Sequence, residues 1–139
     1  MNYLITYGEG NKMSLTKYKS NVKYFTSRVN HYFFDVFKMH DYELTISEQN
    51  KGGTRASTYW HDLESGAGMI TIAYSKYFIS TTDKKEIDIV SFHEVWEAIL
   101  SELQELAERR FISKKDISAA THRVIRRMEN IIFPMIKDK

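Results

Sequence analysis

The stretch from Ser91 to Leu100, SFHEVWEAIL, places three side chains able to bind a metal or move a proton inside one apolar-periodic run: His93, Glu94 and Glu97. On a helix, His93 and Glu97 stand one turn apart on the same face, and Glu94 is rotated roughly 100° from His93. In the H-E-x-x-H pattern of zinc hydrolases, two histidines one turn apart grip the metal and the glutamate between them takes a proton from metal-bound water. Here the second histidine is replaced by Glu97. A carboxylate is itself a zinc ligand, so the pattern still describes a metal site, although charged, solvated helix faces produce the same spacing.

A third ligand has to come from elsewhere. Ile117, Ala120, Val124, Met128 and Ile131 form the inner stripe of a later helix, with His122, Ile125 and Glu129 on a neighbouring line. The short link at 111–113 makes that helix an antiparallel neighbour of the one bearing His93. That adjacency is expected to turn His122 towards His93 and Glu97. The set would supply two imidazoles and one carboxylate, leaving a position for water, with Glu94 as general base. Cysteine is absent, so any metal must rest on His, Asp or Glu.

The elements that must hold these residues can be read in order. Residues 1–12 form an N-terminal extension, read as an edge strand ending in the Gly8-Glu-Gly-Asn turn signal. Ser14 is the expected N-cap of a helix over 14–39, with Tyr18, Val22, Phe25, Val29, Phe33, Val36 and Phe37 on its apolar face. His31 and His40 are read on it as partly buried or terminal side chains.

Alternating residues predict strands at 42–47, 54–61 and 69–74, separated by Lys51-Gly-Gly and by a glycine-bearing loop over 62–68. Hairpin spacing makes the sheet mostly antiparallel. His61 and Asp62 fall at a strand end as turn residues. Asp83 with Glu86 makes a capping box for a helix over 83–110, whose apolar positions are read as Ile89, Phe92, Trp96, Ile99, Leu100, Leu103 and Leu106. His93 and Glu97 would lie half shielded at the margin of that stripe. Ser113 with Asp116 caps a last helix, over 114–132, ending before Pro134. The fold class is therefore α+β: one domain over 1–139, a small three-stranded, mostly antiparallel sheet packed with long helices.

This order of elements, with His93-Glu94 opening H-E-x-x-E and His122 within ATHRVIRRMEN, resembles the small zincin-like, metallopeptidase-fold proteins encoded by bacteriophages. The resemblance covers about residues 14–133. It implies His93 as first zinc ligand, Glu94 as catalytic base and Glu97 in the second-ligand position, where the family has histidine. It also implies strand 69–74 beneath an active-site cleft, where it would pair with extended substrate. The expected function is a metal-dependent, peptidase-type hydrolase. The alternative is a catalytically silent, phage-encoded interaction protein that keeps the scaffold and acts on a host macromolecule, such as an inhibitor of host defence.

Composition sets outer bounds. The chain has 139 residues, 42% hydrophobic, 27% charged and 14% aromatic, with a net charge of +2, which suits one soluble domain. The apolar run at 3–7 is too short for a signal peptide or membrane span, so the cytoplasm is expected, that of the host if the chain is phage-encoded. A nucleic-acid reading would rest on Lys114, Lys115, Arg123, Arg126 and Arg127, which form no recognised motif. A peptide or a host protein is the expected partner.

Overall fold

Four aromatic and β-branched side chains at four-residue spacing, Phe25, Val29, Phe33 and Phe37, are completely buried and set the inner line of the first helix. In the computed structural model, which describes residues 8–49, 55–62, 68–109 and 112–137, this helix is α1, Gly8–Asn30, continued by a wider π turn at His31–Val36. Ser14 lies inside α1 and does not cap it. Residues 8–12, expected in an extension, are its first turns; residues 1–7 and the turn at 51–53 lie outside the described residues. The chain leaves the π turn through Lys38, at φ 58°, with the Met39 N–H donating to the Phe33 carbonyl at 2.9 Å.

The strands are β1 Tyr42–Gln49, β2 Ala56–Asp62 and β3 Gly68–Ser75. Their order is β1-β3-β2, with β3 parallel to β1 and antiparallel to β2, so the sheet is mixed where a mostly antiparallel one was expected. The reason lies in polarity. β3, the most deeply buried strand, takes the centre, while β1 carries Glu43 and Glu48 and keeps an edge. Leu44, Ile46, Ile70, Ile72 and Tyr74 join the core from one face; Glu43 and Thr45 are exposed on the other.

A short helix not expected from the sequence, α2 Lys76–Thr81, starts as soon as β3 ends, because Ser75 Oγ accepts the Phe78 N–H. α3, Lys84–Glu108, is capped as expected: the Asp83 carboxylate accepts the Glu86 N–H at 2.9 Å. The buried Asn21 amide ties α1 to this joint, donating to the carbonyls of Ile79 and Thr82 and accepting from Lys84 Nζ. Arg28 and Tyr32 both donate to Asp88, a second tie between α1 and α3.

α4, Lys114–Lys137, opens with the Ser113 hydroxyl accepting the Asp116 N–H. It runs through Pro134 instead of stopping before it. Pro134 and Asn130 are both exposed, so the Asn130 carbonyl that loses its helical donor can be hydrated. The fold is thus α+β, with helices on one face of a three-stranded mixed sheet. Among the described residues, no helix is long and apolar enough to cross a membrane.

Candidate functional site

The orientation of α3 about its own axis decides what the HExxE stretch can do. α3 buries Ile87, Val90, Ser91, Glu94, Val95, Ala98, Ile99, Ser101 and Leu106; of the expected stripe, Ile99 and Leu106 are buried and Trp96 packs half-buried against the core. Of that stripe, Ile89, Phe92 and Leu100 are exposed. The helix is turned by roughly a third of a revolution from expectation. Small side chains at Ser91, Ala98 and Ser101 let it settle closely on its neighbours, with the two serines satisfied by their own helix at Ile87 O and Ala98 O.

This orientation puts the three site residues in different surroundings. His93 and Glu97 face outwards, their side chains 65% and 47% exposed, with His93 Nε2 3.8 Å from Glu97 Oε1. They do stand together, one turn apart, as the sequence implies. Glu94 points the other way, 5% exposed, against β2. Its carboxylate Oε1 and its main-chain carbonyl both receive the Thr58 hydroxyl, at 2.9 and 3.0 Å. Burial pushes the Glu94 carboxyl above the usual carboxylate value, with the Thr58 hydrogen bond pulling it back down. A base activating water bound beside His93 would have to share the outer face with it, and Glu94 does not.

His122 is in neither place. It is exposed on α4, with Nδ1 2.8 Å from the Ser118 carbonyl of its own helix. The Arg123 guanidinium grips the Glu102 carboxylate through Nε, at 2.6 Å, and Nη2, which fixes the antiparallel register of α3 and α4. In that register His122 stands beside Leu103, ten residues or roughly 15 Å along α3 from His93. Among the described residues, no group of three or more His, Asp or Glu side chains comes together as metal ligands. His93, Glu97 and His122 therefore do not fit the zinc site expected of them.

Strand 69–74 also differs from its expected role. It lies within β3, whose two edges are taken by β1 and β2, so it has no free edge for an extended peptide. His31 sits 3.3 Å from Asp35 and His40 stacks on Phe34. The side chains of His61 and Asp62 lie outside the described residues.

A polar cluster that the sequence reading missed lies at the other end of α3. Tyr42 at the start of β1 donates to Glu102, which also holds Arg123, and Arg127, 8% exposed, donates to Asp41. Burial, with Glu102 and Asp41 beside it, pushes the Tyr42 hydroxyl up to about 12. The signal was present in part: counting outwards from the middle of the link at 111–113 puts residue 102 opposite 122, within one residue of Arg123. The chain matches no protein-family model, no curated protein and no solved structure.

α4 is the remaining surface with a bias of its own. Ala120, Val124, Met128 and Ile131 face the core as expected, but Ile117, expected on the same inner stripe, is exposed at the start of the helix, and Ile125, Ile132 and Met135 also stay exposed. Beside them, on the outer margin, run Lys115, His122 and Arg126, interrupted by Glu129. The apolar sector of α4 is therefore wider than the part this chain covers.

Proposed function

We propose that the protein is a catalytically silent interaction protein on a zincin-like scaffold, of the kind found in phages, and that it takes an acidic, amphipathic segment of a partner protein along α4. The observation that carries this reading is the exposed apolar sector of α4, Ile117, Ile125, Ile132 and Met135, with its cationic margin. Apolar anchors one and two turns apart are what a docked helix engages, and a basic margin selects acidic neighbours. The sharing of roles in HExxE supports silence: the helix keeps its motif, with Glu94 serving as a tie to the sheet and His93 and Glu97 left in solvent.

The test uses two labelled helical peptides with leucines at three-and-four spacing, one flanked by glutamates and one by lysines. Fluorescence anisotropy should show the acidic peptide binding, more weakly at high salt, and Ile125→Asp and Ile132→Asp should each weaken it about tenfold or more, as for an anchor contributing over ~1 kcal/mol. Equal binding of both peptides, no binding of either, or a preference for anionic vesicles would overturn the proposal. One equivalent of zinc in protein purified without a histidine tag, lost in His93→Ala, would restore the hydrolase reading.

A further inference from the structure

A cleft of about 340 Å3 lies where the second half of α3 and the first half of α4 meet the ends of the strands. It is separate from the exposed apolar sector of α4 and from His93, and its size is at the small end of ligand sites.

Its helical wall repeats with a simple symmetry. Glu102 of α3 is held by Arg123 of α4. Two turns nearer the link on each chain segment stand Arg109 and Asp116, and one turn nearer stand Leu106 and Ala119; all six line the cleft. One end of the wall thus presents the Glu102–Arg123 pair; at the other, Arg109 stands 4.0 Å from Glu105 and the Asp116 carboxylate accepts the Ser113 N–H, with Leu106 and the small Ala119 between the two ends. The lining carries three carboxylates, with Asp41, against two guanidiniums, so it offers no surplus positive charge to a phosphate.

The strands supply the opposing wall. Tyr42 and Trp60 approach across Gly68, where a Cβ would stand 2.6 Å from a Tyr42 ring carbon and 3.0 Å from Trp60 Nε1. Only glycine leaves room for the two rings there. The Trp60 indole N–H is shielded from solvent and has no acceptor among the described residues. A buried donor without a partner costs about 1–3 kcal/mol, and such a cost calls for a missing acceptor.

We propose that this cleft binds a nucleobase, free or as an uncharged nucleoside, its ring against Tyr42 and Trp60 and its edge on a carboxylate–guanidinium pair. A base edge alternates donors and acceptors, which such a pair complements; carboxylates and guanidiniums are the groups that read base edges elsewhere. Aromatic faces add stacking that any base can use. A turn of the Trp60 indole away from Gly68 and towards the cleft would bring its buried N–H to a ring carbonyl there, the acceptor it lacks.

Ligand-observed NMR on the full chain, with adenosine, guanosine, cytidine and uridine, their 5′-monophosphates, and glucose, tests this. At least one nucleoside should give saturable binding, and its monophosphate should bind about tenfold or more weakly. Ala119→Leu, which fills the cleft and removes no contact, should abolish binding while leaving the circular-dichroism spectrum unchanged. If Ala119→Leu fails to fold, Trp60→Phe, which keeps a ring and removes the N–H, should weaken binding about tenfold. No saturable nucleoside, equal or tighter binding of the monophosphate or glucose, or unchanged binding in the folded variant would overturn the proposal.

Discussion

The Thr58 hydroxyl of β2 is shared between the carboxylate and the main-chain carbonyl of Glu94 on α3, at 2.9 and 3.0 Å. Through this pair the sheet holds the middle of the HExxE helix, and the residue that would be a base in a hydrolase is shut away from the face that carries His93 and Glu97.

The buried carboxyl makes stability depend on pH with a definite sign. Its folded-state pKa is raised by burial above the ordinary 4.5, so the folded protein holds this proton more tightly than the unfolded chain. The contribution is complete below the unfolded value and is lost as pH rises through the raised folded value. Glu94→Gln keeps an acceptor for Thr58 and removes the buried charge. Urea unfolding should show the variant more stable than the parent at pH 7, because the desolvated charge is gone while the Thr58 hydrogen bond is kept, and the gap should shrink towards pH 4. A gap that is constant across that range would refute the assignment.

His93→Ala and Glu97→Ala, singly and together, should change stability by less than about 0.5 kcal/mol, because an exposed i,i+4 pair 3.8 Å apart contributes little. Thermal melts with and without added zinc would check both points at once. A rise of several degrees on adding zinc to the parent, absent in the double variant, would contradict the geometry of α3.

What was legible in the chain was local. Asp83 with Glu86 and Ser113 with Asp116 form the caps their spacing implies, since a side chain three residues from an N–H needs no tertiary partner to meet it. The strands fall within about two residues of their expected bounds, as does the start of α3. Two non-local choices were not legible. α3 is apolar on more than one face, so periodicity alone could not decide between burying Ile89 and Phe92 and burying Ile87, Val90 and Glu94. Alternation shows that a strand is half buried but not which strand it pairs with, and the parallel register of Tyr42 on Gly68 follows from β3 taking the centre. His122 was misplaced for a simpler reason: adjacency of two helices was counted, and distance from their link was not.

Lys38 is the only described non-glycine residue with positive φ, at 58°. It closes the π turn so that Met39 can donate to Phe33, and an L side chain with a Cβ is strained in that region. Glycine removes the strain but costs entropy on folding. Lys38→Gly should therefore stabilise the protein by about 0.5–1 kcal/mol, read as a higher urea midpoint with an unchanged slope. A lower midpoint would show that the Lys38 side chain contributes more than its backbone strain costs.

Gly68 marks the tightest backbone approach at the foot of the sheet. It pairs with Tyr42 across the parallel ladder and with Asp62 across the antiparallel one, so its backbone cannot retreat without breaking register on one side or the other. A Cβ there would meet Tyr42 ring carbons at 2.6 and 2.7 Å, which the ring can relieve only by swinging away from Glu102. Gly68→Ala should thus destabilise by about 1–3 kcal/mol, the usual cost of overpacking. Tyr42→Leu alone removes the ring and the hydroxyl that reaches Glu102 and should also destabilise. If the clash with Tyr42 is the cause, adding Gly68→Ala to Tyr42→Leu should cost at least ~1 kcal/mol less than adding it to the parent, a coupling that a double-mutant cycle in urea measures directly. Strict additivity would place the strain at Trp60 instead.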